Sequence, residues 1–212
     1  VLSIENLYYQ GYSAVKIYLI RHAQSEENVL NLRQRTAVQE FNQMLCCTHS
    51  TPLTRLGRFQ AKLTTGRLEQ SSIERIYTSP FDRAIQTAKI IGREIGIIPQ
   101  VVNDLREVQP QLLKERKRDA SLRKHLFRSC VGMVLPGGDG TGEKLSSSYH
   151  RAKSVWSQLT ADSAQEIAIV SHYGLISLMI AFLDRDSRWK VVNRDLSNGG
   201  ITTVVRRRSI AA

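Results

Sequence analysis

The sequence predicts an α/β fold built on parallel strands, and three observations predict it. Short runs rich in β-formers, at 15–20, 73–78, 97–102 and 166–170, alternate with segments of helical periodicity. Two of the runs close on an imidazole, Ile20-Arg21-His22 and Val170-Ser171-His172. Polar and charged residues follow the other runs, and in open α/β sheets ligand sites lie beyond the carboxyl ends of the strands.

The first strand, 15–20, delivers Arg21 and His22 to the sheet's end. The polar segment 24–50 reads as a helix or a long loop over that end. Thr54 is an N-cap candidate for a helix from Arg55 to about Gln70, with Leu56, Phe59 or Gln60, Leu63 and Arg67 in helical register. After the strand 73–78, Ser79 reads as an N-cap, Pro80 as the first helical residue and Asp82 as the capping-box acid of a helix ending near Ile95, with Gly96 closing it. A helix starting at a strand end points free N–H groups at the same crevice. Arg83 lies in its early turns, within reach of an anion there.

The strand 97–102 leads to Glu107. Between 110 and 130, Lys114, Arg116, Lys117, Arg118, Arg123, Lys124 and Arg128 crowd together, while Leu113, Ala120 and Phe127 recur every seven residues. That pattern predicts an amphipathic helix, read either as a solvated face or as an electropositive lid that recruits anionic substrate. Gly137-Gly138-Asp139-Gly140 is a flexible loop and lacks P-loop spacing. A helix over 149–159, the strand 166–170, a helix over 175–183 and a last strand over 201–205 complete the chain, and Arg206-Arg207-Arg208 reads as a solvated end.

With 212 residues, 42% hydrophobic and 23% charged, the chain has the makings of a globular protein. No apolar run approaches the roughly 18–20 residues of a membrane span. The net charge of +11 favours acidic partners. No aromatic residues interleave with the basic run, so no nucleic-acid partner is expected. Three cysteines without CxxC spacing suit reduced thiols and a cytoplasmic compartment. The five histidines lack metal-site spacing, and no metal or cofactor is expected. Glu5-Asn6-Leu7-Tyr8-Tyr9-Gln10-Gly11 resembles the recognition sequence of a tag-removal protease. Residues 1–13 are therefore set apart as an expression remnant or flexible N-terminus. Residues 14–212 are read as a single domain with a basic insert or lid at about 108–148.

Four strand ends thus carry Arg21-His22, Arg83, Glu107 and His172. Two arginines, two imidazoles and a carboxyl group suit phosphoryl transfer: cations neutralise the phosphate, a neutral imidazole attacks, and an acid protonates the leaving oxygen.

These residues resemble a known family. Ile20-Arg21-His22-Ala23-Gln24-Ser25-Glu26-Glu27-Asn28 is similar to the nucleophile signature of the histidine phosphatase (phosphoglycerate mutase-like) superfamily. Pro52-Leu53-Thr54 with Gly57, Gln60 and Ala61, then Tyr77-Thr78-Ser79-Pro80 with Arg83, Ala84, Gln86, Thr87 and Ala88, resemble its next two elements. Leu105-Arg106-Glu107 resembles its acid segment, and Val170-Ser171-His172-Tyr173-Gly174 its second-histidine segment.

The resemblance implies a three-layer αβα sandwich with a mostly parallel central sheet and a phosphohistidine intermediate on His22. It implies Arg21, Arg83 and His172 around the phosphate, Asn28, Ser25 and Tyr173 as substrate-binding residues, and Glu107 as proton donor, with Asp104 or Glu115 as substitutes. Ala23 and Gln24 stand where the family usually has Gly and Glu, and Val108-Gln109-Pro110 replaces a box that often follows the acid. The implied function is hydrolysis of a phosphorylated small molecule or phosphoprotein. The alternatives are phosphoglycerate mutase activity and a weakly active scaffold for phosphorylated ligands. The sequence leaves the oligomeric state open.

Overall fold

The computed structural model describes residues 12–114, 119–135, 141–161 and 164–207. The presumed remnant up to residue 11, the acid candidate Glu115, the cations Arg116, Lys117 and Arg118, the glycine loop 137–140 and Arg208 lie outside the described residues.

Strand β1 (Tyr12–Arg21) is followed by a 3₁₀ turn (Glu26–Val29), β2 (Arg35–Thr36), α1 (Val38–Cys47) and α2 (Arg55–Gly66). Next come β3 (Arg75–Thr78), α3 (Asp82–Ile95), β4 (Gln100–Val101), β5 (Ala120–Ser121) and α4 (Leu122–Gly132). The chain continues through α5 (Leu145–Thr160), β6 (Glu166–Ser171), α6 (Tyr173–Leu183), β7 (Trp189–Asn193) and β8 (Ile201–Arg207). The main sheet has the order β4-β3-β6-β1-β8-β7, and β2 pairs with β5 in a small second sheet. Strands β4, β3, β6 and β1 run parallel, while β8 is antiparallel to both β1 and β7.

Strand alternation builds the three layers. From one face Ile17, Leu19, Ile167 and Ile169 pack against Ala152, Val155 and Trp156 of α5 and Leu175, Ile176 and Met179 of α6. From the other, Tyr18, Ile20, Ala168 and Val170 meet Ala84, Ala88 and Ile91 of α3. Central strands buried on both faces explain why β1 and β6 read as continuous apolar runs. A separate apolar cluster joins α1 to α4 through Val38, Phe41, Leu113 and Leu122.

Register positions the chemistry. Arg21 pairs with Ser171, and Thr78 with Val170, so β1, β3 and β6 end level. His22, Ser79 and His172 therefore leave the sheet at one edge.

Several elements differ from expectation. The helix α2 ends at Gly66, not near Gln70. Its larger apolar residues face outward, with Leu56, Phe59 and Leu63 more than half exposed, while Gly57, Ala61, Thr64 and Thr65 are buried. Small residues are needed there because a Cβ on Gly57 would stand 1.9 Å from the Gln24 carbonyl oxygen. The seven-residue repeat of Leu113, Ala120 and Phe127 is not a helical face: α4 starts at Leu122, capped by the Ser121 side chain, and Phe127 is exposed. Ser79 does not cap α3, whose N-cap is Phe81. The expected strand 97–102 contracts to two residues, with Ile98 exposed. Strand β7 was not anticipated; it edges the sheet beside β8, where Arg206 lies 5.9 Å from the Trp189 ring centroid.

Gly57→Ala is expected to cost about 1–3 kcal/mol in denaturant unfolding, because the clash is with backbone. Phe59→Ser, on the exposed face, should stay within about 0.5 kcal/mol. Equal stability of Gly57→Ala and the parent chain would contradict this packing.

Candidate active site

His22 leaves β1 with its backbone held on both sides. Its N–H donates to the Ser171 carbonyl at 2.8 Å, and its carbonyl accepts from Asn198 Nδ2 at 3.2 Å. The ring is 3% exposed. Nδ1 lies 2.8 Å from the Ala23 carbonyl oxygen, and Arg83 Nε donates to Nε2 at 3.2 Å. A carbonyl only accepts and a guanidinium only donates, so Nδ1 carries the proton and Nε2 the lone pair. Burial, then the Arg83 charge, push the imidazole pKa down to about 3, against the hydrogen bond to Ala23. The ring is neutral at pH 7, and its nucleophilic nitrogen accepts from Arg83.

The residues after His22 keep it in place. Ala23 is buried, donates its N–H to Thr87 Oγ1 at 3.1 Å, and needs no left-handed backbone, since only Gly96 and Gly199 have positive φ among the described residues. Gln24 accepts from the Thr54 hydroxyl at 2.8 Å and donates its N–H to Gln60 Oε1 at 2.9 Å. An amide thus serves where the family usually has a carboxylate.

Arg83 is buried in the first turn of α3. Its Nη1 donates to the Thr48 carbonyl and lies 3.4 Å from the Glu27 carboxylate. Arg21 donates from Nη1 to the Leu196 carbonyl at 2.9 Å and stacks 5.4 Å from the Tyr173 ring centroid, while its buried Nε has no partner. Asn28 is oriented by three donors on Oδ1: Ser25 N–H at 3.0 Å, Ser25 Oγ at 3.2 Å and Asn198 Nδ2 at 3.0 Å. Its Nδ2 amide remains available. Ser25 is fully buried and holds Asn28 in place, and neither Ser25 nor His172 is among the residues lining the pocket described below.

His172, also fully buried, lies 5.1 Å from His22 between ring centroids. Its Nε2 is 2.7 Å from Ser79 Oγ, which accepts from the Phe81 N–H at 3.3 Å. The Ser79 hydroxyl can donate to Nε2 or accept from it while also accepting from Phe81, so this contact leaves the tautomer unassigned; Nδ1 is buried and without a partner. Burial and the positive field of the site hold this imidazole neutral as well.

Glu107 sits against the N-terminus of α6. Its carboxyl oxygens accept from Val108 N–H at 2.8 Å, Gly174 N–H at 3.2 Å and Leu175 N–H at 3.2 Å. Burial raises its pKa above the usual carboxylate value in spite of those donors. Gly174 makes the approach possible, since a Cβ there would stand 2.6 Å from Oε1. The segment before Glu107 is clamped by Arg151, whose guanidinium donates to the carbonyls of Asp104 and Arg106 and pairs with Glu143 at 2.7 Å. Glu143 also pairs with Arg106 at 2.9 Å.

A pocket of about 400 Å³ brings Arg21, His22, Asn28, Arg83, Glu107 and Tyr173 to one surface. Asp104, the other described acid candidate, is exposed, pairs with Arg106 and stays outside it. The described members of the basic run, Lys114, Arg123, Lys124 and Arg128, also stay outside it. Sequence reasoning missed Glu27, Thr48, Ser79 as partner of His172, Asn198 and the Arg151–Glu143 clamp. Their signals were faint, because each acts by contact across long chain separations. No group of histidine, cysteine and acidic residues suited to a metal occurs among the described residues. No helix among them is long and apolar enough to cross a membrane.

A family model described as the histidine phosphatase superfamily (branch 1) matches residues 17–209. The chain is 26% identical over 191 residues to "Putative phosphoserine phosphatase 2" of Hydrogenobacter thermophilus, covering 89% of this chain and 88% of that protein. It is 28% identical over 175 residues to "Probable phosphoglycerate mutase GpmB" of Yersinia pestis, covering 80% and 74%. The fold is similar to a mycobacterial glucosyl-3-phosphoglycerate phosphatase, with a TM-score of 0.63 and 19% identity over 92% of this chain and 96% of the other.

The low His22 pKa has a thermodynamic consequence. Below about pH 6.5 the unfolded chain takes up a proton that the folded imidazole refuses until about pH 3. Folding stability from His22 is complete above pH 6.5 and is lost as pH falls toward 3, by up to about 1.4 kcal/mol per pH unit. Denaturant unfolding at stepped pH should show a shallower acid loss for His22→Gln than for the parent chain. Superimposable profiles would contradict a neutral, buried His22.

Proposed function

This chain belongs to the histidine phosphatase superfamily, and from that premise we propose that it is a phosphomonoester hydrolase working through a phosphohistidine on His22. The observation that carries this reading is the neutral His22 ring, with Nδ1 tied to Ala23 and the Nε2 lone pair beside Arg83. Nε2 attacks phosphorus and the P–O bond to the alcohol breaks. Glu107, its pKa raised by burial, gives its proton to the departing oxygen. Water then attacks the phosphohistidine, the P–N bond breaks, and Glu107 takes a proton back. Phosphate leaves and the neutral imidazole is restored.

The buried nitrogens without protein partners, Arg21 Nε and His172 Nδ1 (the latter with the Ser79 hydroxyl donating to Nε2), together with Asn28 Nδ2 and the Arg83 guanidinium, supply hydrogen bonds to the phosphoryl oxygens. The two arginines provide the positive charge that other phosphoryl-transfer sites take from a metal ion. The three cysteines, all free thiols, fit a reducing, cytoplasmic setting.

The resemblance to proteins named as phosphoglycerate mutases supports a second reading, in which the phosphoryl group returns to an organic acceptor. It shares the first half-reaction and differs in what receives the group.

Mixing with a phosphomonoester followed by rapid quench should trap a phosphoenzyme stable to alkali and labile to acid. His22→Ala should abolish it and lower kcat by about 10³-fold or more. Glu107→Gln should lower kcat by about 10²-fold or more for alkyl phosphates, and far less for p-nitrophenyl phosphate, whose leaving group needs no proton. Equal losses on both esters would remove Glu107 as donor. Transfer to phosphoglycerate outpacing phosphate release would establish the mutase reading.

A further inference from the structure

The walls of the pocket beyond the phosphoryl site are largely apolar, with Gln109 and Thr141 among the polar residues in them. Leu45 of α1, Val108, Pro110 and Leu112 after Glu107, Leu126 of α4 and Met133 line it. Among the described residues its cations are Arg21 and Arg83 alone. Both are already engaged, Arg83 with His22, Thr48 and Glu27, and Arg21 with Leu196 and Tyr173. The remaining charge in the described wall besides Glu107 is the Glu27 carboxylate, itself paired with Arg83, so the wall offers a second anionic group no free partner. Lys114, Arg123 and Lys124 are exposed and are not among the lining residues, and Arg116, Lys117 and Arg118 lie outside the described residues.

The apolar surface also continues. A second pocket, of about 520 Å³, shares Leu45 and Leu126, together with Glu27, Asn28 and Thr48, with the first and adds Leu32, Phe41 and Met44. Leu45 and Leu126 stand between the two spaces as a shared wall.

We propose that the substrate is a monophosphate ester of an apolar alcohol, alkyl or aryl, whose leaving group lies on the Leu45–Leu126 wall. Among the described residues no further cation lines this wall to meet the second charge of a carboxylated or multiply phosphorylated metabolite, and burying that charge unpaired would be costly. The inference rests on the hydrolase reading and specifies its substrate class. The bond broken is the ester P–O bond, the alcohol leaves with the Glu107 proton, and water completes the cycle as above.

Phosphate release from ethyl, butyl, hexyl and octyl phosphate, 1-naphthyl phosphate, O-phosphoserine and 3-phosphoglycerate tests this with the unmodified chain. The value of kcat/KM is expected to rise by about two- to fourfold per methylene until the wall is covered. Hexyl and naphthyl phosphates should exceed 3-phosphoglycerate by about 100-fold. Leu126→Lys should flatten the alkyl series and narrow that ratio at least about tenfold; if it does not fold, Leu126→Ala should shift both in the same direction. A flat series, or faster turnover of phosphoserine or 3-phosphoglycerate than of hexyl phosphate, overturns the inference and leaves the hydrolase reading standing. Turnover of none of these esters overturns both.

Discussion

Burial of the His22 imidazole beside the Arg83 guanidinium is the constraint on which the site depends. An exposed histidine would share its time between charged and neutral forms near pH 6.5. Inside this sheet edge, desolvation and the adjacent cation make the charged form costly, and the pKa falls to about 3. The same cation fixes the tautomer, because Arg83 can only donate to Nε2. Arg83 is in turn held by Thr48 and Glu27, from the segment that crosses over the site. A single buried contact therefore joins the sheet, α3 and the overlying chain.

The surrounding packing reads as a set of braces for that contact. Gly57 lets α2 press on the Gln24 carbonyl, while Thr54, Gln60 and Thr87 hydrogen-bond to the two residues after His22. The level ends of β1, β3 and β6 bring Ser79 and His172 alongside. Arg151 and Glu143 perform the same task for the acid, clamping the chain that leads to Glu107. Positive charge and a raised carboxyl pKa coexist because the groups are separated in role: guanidinium and imidazole donors gather near His22, while Glu107 is desolvated against α6.

Much of this was legible in the sequence. Strands β1 and β6 announce themselves because burial on both faces demands unbroken apolar residues, and each ends on a histidine. The αβα layers and the convergence of Arg21, His22, Arg83, Glu107 and His172 follow from strand order and ends. Periodicity failed where size mattered more than hydrophobicity. In α2, the close approach of Gln24 selects glycine and alanine for the buried face and leaves Leu56, Phe59 and Leu63 outside. Residues 113, 120 and 127 shared a spacing without sharing a helix, since Ser121 caps α4 after the first two. The described basic residues near α4 are not among those lining the pocket, and the rest of the basic run, Arg116, Lys117 and Arg118, lies outside the described residues. Ser79 looked like a helix cap, and its hydroxyl instead fixes the orientation of His172, a contact spanning 93 residues.

The account stands on His22 being neutral with its proton on Nδ1. Nitrogen-15 NMR of histidine-labelled protein reads both properties directly, with His22→Gln assigning the resonance. The expected result is a single neutral Nδ1–H tautomer whose shifts stay constant from pH 8 to pH 5. A His22 resonance that titrates near pH 6.5, or that reports a proton on Nε2, would contradict it.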